Sequence, residues 1–356
     1  MMSRYFAFFL PAIVLYATFL SWSKNAGDLV FVYAALGFIF IVIPLLDLLA
    51  VRTGVFISGE NSAPISELVI VLLSLPLQLT NIFFFAWYLT NHDLVLYQMI
   101  LLVLTAGIFS ALYAQNPAHE LIHHGSRFER VVGLSLFSTS CYTGAKLAHV
   151  HSHHLLVATD QDPTSARFNQ SLYEYLPGAI AVNLFGWWGP KHKTGTFSLM
   201  RRKILLENLI GYGLSLVWML TISMQFGVFA WACFLVQSFI GILVLEMMNY
   251  IGHYGLERHA DSHGRLENVS ERHAWDCDLP FSNLVLISVQ KHADHHINPN
   301  KSYGELCCIE NSPRLPISYP LLFLLSLVPP WWRAVIHPCL QRFRSDADAG
   351  LGANLT

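Results

Sequence analysis

Six long runs of apolar residues constrain the fold of this chain more than any other feature of its sequence. They lie at 5–23, 29–50, 68–89, 94–114, 204–224 and 226–247. Each run approaches the ~20 residues that a membrane-spanning helix needs, and the last two are close enough to form a helical hairpin. Only 12% of the residues are charged, about half of the share in soluble domains. The sequence therefore predicts an all-α integral membrane protein with six transmembrane helices.

The first apolar run has two interpretations, because the basic residue Arg4 precedes it, as in many secretory signal peptides. A signal peptide has a short apolar core that is followed by a cleavage site of small residues. The apolar core here is long, and no small-x-small site follows it. We therefore expect a retained membrane anchor.

Basic residues predict the orientation, since Lys and Arg are enriched in the cytoplasmic loops of membrane proteins. If both termini are cytoplasmic, 20 of the 21 Lys and Arg residues lie in cytoplasmic segments, and only Lys24 lies outside. The large polar segments 115–203 and 248–344 then form one cytoplasmic cap on a single membrane domain, 1–356. We expect the small, polar tail 345–356 to be disordered.

The cap is rich in histidine, and three clusters have the spacing of a helix face. Residues three or four apart lie on one face of a helix, whereas adjacent residues diverge by about 100° and can serve two different metal ions. Eight histidines at such spacings, all on one side of the membrane, predict the walls of a two-metal site. They are His119 and His123, then His149, His153 and His154, and then His292, His295 and His296.

Other function classes fit only part of this pattern. His119, Glu120 and His123 form H-E-x-x-H, which is also the zinc-peptidase signature, but a peptidase site leaves most of the clustered histidines unexplained. A membrane metal transporter would place its ligands near the membrane midplane, whereas the few ionisable groups of the apolar runs lie near their ends. No nucleic-acid partner is expected, because the net charge is −2 and the basic residues form no stripe.

Four stretches of the sequence carry a resemblance to a known family. They are NPAHELIHH (116–124), HSHHLLVATDQDPTSAR (151–167), NYIGHYGLERH (249–259) and SNLVLISVQKHADHHINPNKSY (282–303). In this order and spacing they resemble the integral-membrane alkane monooxygenases, with xylene monooxygenase as a related member. More distantly the chain is similar to membrane fatty-acid desaturases and hydroxylases, which implies the same membrane fold with a histidine-rich cap. A desaturase or a hydroxylase of an oxidised lipid stays the alternative, although the HYG element favours hydroxylation.

The resemblance implies a centre of two non-haem iron ions that uses O2 to hydroxylate an unactivated C–H bond, such as that of a terminal methyl group. In the family nine histidines bind the irons, and His253 of the HYG element joins the eight above. The family commonly has Glu where Ala148 and Gly252 stand here, and Lys where His124 stands. Some other residues are candidates for hydrogen-bonding the ligands and so orienting them. They are Glu120, Asp160, Asp162, His273 and Asp294.

The resemblance also implies an apolar substrate. A hydrocarbon or lipid would reach the metal centre from the surrounding membrane lipids. In this family a bulky residue on the second helix limits how deep a chain can enter, and Ile39 is a candidate for that position. Packing against lipid is the other interpretation of Ile39.

Electrons must come from a partner, because the sequence has no flavin or nicotinamide signature and no C-x-x-C for an iron site. The resemblance implies a rubredoxin, or a ferredoxin-type reductase in the xylene branch. The basic stretch 201–203 either helps to dock an acidic donor or anchors the fifth apolar run by the positive-inside rule. We expect a bacterial inner-membrane protein whose active site is cytoplasmic.

Overall fold

Helices form the regular structure of this protein. The computed structural model describes residues 4–22, 28–54, 64–123, 126–185 and 197–353. Within these ranges there is no β-strand, and β-pairing is limited to three isolated bridges. The predicted all-α class is therefore confirmed. Lys24 and His124 lie outside the described residues.

The apolar runs form long helices, some of them joined end to end. Four stretches are long and apolar enough to cross a membrane, and a shorter apolar helix covers Phe6–Trp22. The four stretches are Val30–Thr53, Glu67–Asn91, Leu96–His123 and Ile204–His253. The helices of this region are Arg4–Phe9 (a 3-10 turn), Leu10–Trp22, Val30–Gly37, Phe38–Val42, Ile43–Thr53, Pro64–Asn91, Leu96–Ser110, Ala111–Gln115, Asn116–His123 and Phe197–His253.

The longest of these helices consists of two helices that meet at Gly227. This residue has φ 83° and ψ 174°, outside the helical region. A positive φ favours glycine, because any other residue would place a Cβ against the backbone. The break lies near the boundary between the predicted runs 204–224 and 226–247. The total of six spans stays a prediction, since Phe6–Trp22 is shorter than a usual span.

Two apolar helices contain a π-helical turn just before a proline. Phe38–Val42 precedes Pro44, and Ala111–Gln115 precedes Pro117. Proline has no N–H, and its ring clashes with the carbonyl four residues earlier, which lies inside the π-turn in both cases. The helix therefore widens locally instead of ending. The second of these turns lets the fourth apolar helix continue as far as His123, so that it carries the first histidine cluster.

The cap consists of shorter helices and irregular segments around a second apolar core, which contains the buried rings of Tyr250, Trp275 and Trp332. The last helix continues to Ala353, so the structure describes helix over most of the tail for which disorder is expected. The cap helices are Arg127–Ser138, Gly144–Ala148, His149–His153, His154–Leu156, Leu172–Phe185, Glu271–His273, Pro280–Val285, His292–Ile297, Tyr319–Ser326 and Pro329–Ala353.

A buried carboxylate joins the membrane region to the cap. Asp47, on the helix Ile43–Thr53, is 1% exposed. Its Oδ1 accepts a hydrogen bond from the backbone N–H of Phe281 (2.8 Å), and its Oδ2 accepts one from the hydroxyl of Ser318 (2.8 Å). The N–H of Ser282 also lies 3.3 Å from both oxygens. Because the first N–H groups of a helix have no partner within the helix, Asp47 satisfies those at the start of Pro280–Val285.

Replacing Asp47 by Ala should leave these buried donors without an acceptor. We expect the Asp47→Ala protein to lose about 1–3 kcal/mol of unfolding free energy, the usual cost of an unsatisfied buried group. Denaturant unfolding of the detergent-solubilised protein measures this loss. Leu48→Ala is the control, because Leu48 is 48% exposed. Equal unfolding free energies for the two variants would contradict the proposed role of Asp47.

Candidate metal centre

Nine histidine side chains meet at the ends of two apolar helices and in the adjoining cap. They come from four separate segments: the end of the helix Asn116–His123, the segment His149–Leu156, the end of the helix Phe197–His253, and the helix His292–Ile297. The nine are the residues that the sequence and the resemblance single out: His119, His123, His149, His153, His154, His253, His292, His295 and His296.

Eight of the nine form two groups of four, and within each group the ring nitrogens lie close together. In each group, one nitrogen of every ring lies within 4.8 Å of the others. The first group contains His119, His123, His149 and His295. The second group is fully buried and contains His153, His253, His292 and His296.

The ninth histidine, His154, lies between the two groups. Its Nε2 is 3.0 Å from the Nε2 of His149 in the first group. Its ring centroid is 4.8 Å from that of His123 and 4.5 Å from that of His296, which belongs to the second group. The position of His154 therefore permits a contact with either group.

The division into groups follows from backbone geometry. The adjacent residues His295 and His296 point into different groups, as expected from the angle between neighbours on a helix. His149 and His153 also belong to different groups, although they are four residues apart. The segment that joins them is a π-helix, whose wider turn no longer stacks such residues on one face.

The ring nitrogens are arranged as metal ligands would be. The Nε2 atoms of His119 and His149 are 2.7 Å apart, and those of His253 and His292 are 2.9 Å apart. Two nitrogens at about 2.1 Å from one ion and at a right angle would be separated by a similar distance of about 3 Å. The Nε2 of His295 is buried and has no hydrogen-bond partner, which a metal ligand would not need.

Burial also keeps the imidazoles in the form that binds metal. Burial, helped by neighbouring imidazoles, lowers the pKa of His292, His295 and His296 well below the usual value. These rings are therefore neutral at physiological pH, and a neutral ring offers a lone pair to a metal ion. An all-imidazole donor set suits iron(II), copper or zinc. The residues present thus fit a metal centre.

Asp162 orients one of these rings from behind. Its Oδ2 lies 2.7 Å from the Nδ1 of His153, and it also accepts a hydrogen bond from the hydroxyl of Ser165 (2.7 Å). The hydroxyl of Thr164 donates to the Oδ1 of Asp162 (2.6 Å). Although burial opposes it, the contact with His153, together with these hydroxyls, lowers the pKa of Asp162 to about 2. The carboxylate holds the Nδ1 of His153 and leaves its Nε2 directed at the second group.

The other residues proposed to orient the ligands act differently. The backbone carbonyl of His273, not its ring, accepts a hydrogen bond from the Nδ1 of His253 (3.0 Å). Asp294 binds the Nζ of Lys301 (3.0 Å) and so holds the loop after the third cluster. Glu120 accepts a hydrogen bond from the backbone N–H of Tyr303 (2.9 Å), which ties the first cluster to that loop.

Asp160 is not part of the centre. Its side chain is 88% exposed and pairs with Arg167 (3.2 Å). Asp160 and Asp162 both follow the second cluster in the sequence, but the turn at 159–165 directs only Asp162 towards a histidine. The expectation that Asp160 orients a ligand is therefore wrong.

Asp276 supports the third cluster, a role that the sequence does not reveal. It is 0% exposed, and its Oδ1 accepts a hydrogen bond from the backbone N–H of Ala293 (2.9 Å), next to His292. Its Oδ2 accepts one from the hydroxyl of Ser312 (2.7 Å). Asp276 lies in an irregular segment without periodicity, and nothing in the sequence distinguishes it from the neighbouring Asp278.

An apolar cavity of about 430 Å³ lies next to the centre, a size typical of ligand pockets. Its lining is apolar except for Asn116 and Ser282. Ile39 is 8% exposed and is part of this lining. Asn116 borders the cavity and also borders a much smaller cavity beside His119 and His295, so it separates the apolar space from the histidines.

Comparison with known proteins places the chain among enzymes of one superfamily. Residues 95–307, which include all nine histidines, match the fatty acid desaturase family. The chain is 34% identical to alkane 1-monooxygenase 2 of Alcanivorax borkumensis, over 88% of this chain and 83% of that protein. It belongs to the alkane monooxygenase group of the fatty acid desaturase family. The resemblance inferred from the motifs is thereby confirmed.

Two further members of the alkane monooxygenase group extend the comparison. The chain is 32% identical to alkane 1-monooxygenase 2 of Pseudomonas aeruginosa, over 86% of this chain and 83% of that protein. It is 24% identical to the xylene/toluene monooxygenase hydroxylase component of Pseudomonas putida, over 66% of this chain and 62% of that protein. The apolar helices and these relatives together identify the chain as a multi-pass membrane protein.

Gly252 provides a test of how tightly the second group is packed. A Cβ at this position would lie 2.9 Å from the Cδ2 and 3.3 Å from the Nε2 of His292. We expect Gly252→Ala to displace the His292 ring and to weaken metal binding at least about 10-fold, the lower end of what disturbing a ligand's support costs. Metal titration of the metal-free protein measures the change.

Gly213→Ala is the control: Gly213 lies on the helix before Gly227, and a Cβ there meets nothing within 4 Å. Its metal affinity should equal that of the unaltered protein. If Gly252→Ala also bound metal with unaltered affinity, the close packing of His292 would not matter for the site.

Proposed function

We propose that this protein is an O2-dependent, non-haem di-iron monooxygenase that hydroxylates the terminal methyl group of an alkane. The observation that carries the proposal is the convergence of nine imidazoles, in two groups of four plus His154, beside an apolar cavity of about 430 Å³. The relatives named alkane 1-monooxygenase support the reaction type and the substrate class.

The two groups of histidines would hold one iron each, with His154 available to either. The chemistry that bound iron supplies is the reductive activation of dioxygen: hydrocarbon, O2, two electrons and two protons give an alcohol and one water. Every ligand is neutral, so the centre differs from the carboxylate-rich di-iron sites of soluble helical bundles. The buried second group and its apolar surroundings exclude bulk water, which protects reactive species from side reactions.

The cavity explains how a saturated hydrocarbon, which has no polar groups, can be oriented. Apart from Asn116 and Ser282, its side chains offer only apolar contacts, among them those of Ile39, Leu104, Val244 and Phe323. An alkane would gain about 25 cal/mol for each Å² of its surface removed from water. Asn116, which donates a hydrogen bond to the carbonyl of Leu286 (2.9 Å), closes the end of the cavity next to the centre. The methyl end of a chain would stop there, close to the metal.

The electron donor is proposed to be a rubredoxin or a ferredoxin-type reductase, which must reach the cap from the cytoplasm. The distribution of basic residues supports a cytoplasmic cap and termini, and the inner membrane as the location. Arg202 is exposed and is available to an acidic partner, while the side chains of Arg201 and Lys203 lie outside the described residues.

Expression in a bacterium together with rubredoxin and its reductase tests the proposed function. The cells are supplied with octane, hexadecane, xylene and a fatty acid under ¹⁸O-labelled dioxygen. A terminal alcohol that contains the label supports the proposal. An alkene without label would identify a desaturase instead, and the absence of electron-dependent oxygen consumption would favour a metal carrier.

Replacing His295, the buried member of the first group, tests the ligand assignment. Because His295→Ala removes one donor and leaves a hole beside the others, we expect loss of iron and an activity decrease of at least about 100-fold. Elemental analysis of the purified protein and alcohol formation provide the two measurements. His263→Ala is the control, because His263 is exposed and belongs to neither group. Full iron content with normal turnover in His295→Ala would refute the assignment.

Enlarging Ile39 tests whether the apolar cavity holds the substrate. Ile39→Trp should fill part of the cavity, so the ratio of octane to hexadecane oxidation should rise at least about 10-fold, a change expected from a few kcal/mol of steric conflict. Competition between the two alkanes measures the ratio. Ile41→Trp lies on the same π-helical turn but is 60% exposed, and it should leave the ratio unaltered. An unaltered ratio in Ile39→Trp would place the substrate elsewhere.

A further inference from the structure

A buried carboxyl group lies two helical turns before His253 and has no role in the mechanism described so far. Glu246 is 0% exposed. Its Oε1 accepts hydrogen bonds from the hydroxyl of Tyr142 (2.6 Å) and the amide of Asn183 (2.7 Å). Its Oε2 accepts hydrogen bonds from the amide of Asn249 (3.2 Å) and the hydroxyl of Tyr175 (3.3 Å). These partners are neutral, and none of them can remove a proton from Glu246 readily.

Two other buried carboxylates of the centre are bound differently. Asp162 pairs with His153, and Asp294 pairs with Lys301. Within the part of the chain that the structure describes, Glu246 forms no ion pair with a lysine or arginine. A carboxyl group that is held by neutral donors is free to carry a proton, whereas one that balances a cation must stay ionised.

A small cavity connects Glu246 to the histidines. Its volume is about 20 Å³, and its lining includes Glu246, Asn249, Thr164 and three imidazoles: those of His119, His149 and His153. A cavity of about 10–15 Å³ suffices for one water molecule when two to four polar groups are available. The cavity beside Glu120 has only about 10 Å³. The space beside Glu246 is therefore the better place for a water molecule that touches both a carboxyl group and the centre.

We propose that Glu246 is a proton-transfer residue, which supplies the centre with a proton through one water molecule in this cavity. The proposal rests on the proposed function, since each turnover consumes two protons in a site from which bulk water is excluded. The O–H bond of the Glu246 carboxylic acid breaks as the cavity water accepts its proton. That water passes on a proton to the dioxygen-derived oxygen atom that leaves as product water. Glu246 is reprotonated between turnovers, when the cavity water exchanges with solvent.

The main experiment compares Glu246→Gln with the unaltered, iron-loaded protein. The amide keeps the size of the side chain and one acceptor oxygen but cannot supply the proton. We expect unaltered iron content and an unaltered KM, with kcat about 10²-fold lower, the lower end of what a proton-transfer group contributes. We also expect more hydrogen peroxide for each oxygen consumed. Equal kcat and peroxide yield would overturn the proposal, and so would a loss of activity in proportion to lost iron.

Two further variants distinguish proton transfer from a structural role. Glu246→Asp keeps an acidic group and should recover more activity than Glu246→Gln. If Glu246→Gln were the more active of the two, the acid itself would not matter and the proposal would fail. Glu174→Gln is the matched control, because Glu174 is exposed on the helix Leu172–Phe185, which also carries Asn183. It should have normal kcat.

An infrared measurement tests the proton on Glu246 without any turnover. A protonated carboxylic acid has a C=O band that shifts in D2O. This band should be present in the unaltered protein and in Glu174→Gln, and it should be absent in Glu246→Gln. An unaltered spectrum in Glu246→Gln would overturn the proposal. If the unaltered protein failed to hydroxylate any hydrocarbon, the proposed function would fall, while the infrared band would still report the state of Glu246.

Discussion

The arrangement of this structure depends on neutral imidazoles that lie close to one another. Nitrogens such as those of His253 and His292 face one another at 2.9 Å in a buried place. Without a shared proton or an ion, their lone pairs would repel, and the burial of these polar rings would cost free energy. A metal ion converts that cost into stabilisation. Since the rings come from four separate segments, metal binding would also hold the cap on the membrane region.

Local geometry decides how much of the site can be predicted from the sequence. The spacing of His292 and His296 requires only a regular helix, and both belong to one group. The same spacing fails for His149 and His153, because the backbone between them is a π-helix that periodicity does not reveal. In the same way, the apolar runs predict approximately where the helix Phe197–His253 is interrupted. They do not reveal that Gly227 is the residue at the break. Regular helices can thus be predicted, while departures from them cannot.

Contacts between distant segments are the part that the sequence leaves open. Asp276 and Glu246 have partners far away in the chain, such as Ser312, 36 residues on, and Tyr142, 104 residues before. No local pattern records such pairs, because they depend on how whole helices pack. His273 shows this limit most clearly, since its backbone carbonyl, and not its side chain, contacts the ring of His253. Any residue could offer that carbonyl, so the side chain at this position gives no signal.

The carboxylate of Asp47 has a wider consequence for how such an enzyme can diversify. The short helix that it holds contributes Ser282 and Val285 to the wall of the apolar cavity, and the chain then runs within seven residues to the third histidine cluster. Remodelling that wall for a longer or bulkier substrate would strain the hydrogen bonds of Asp47, and the strained segment leads directly to the third histidine cluster. Evolution toward new hydrocarbons is therefore easiest around Ile39, because the stretch Val30–Thr53 bears no histidine.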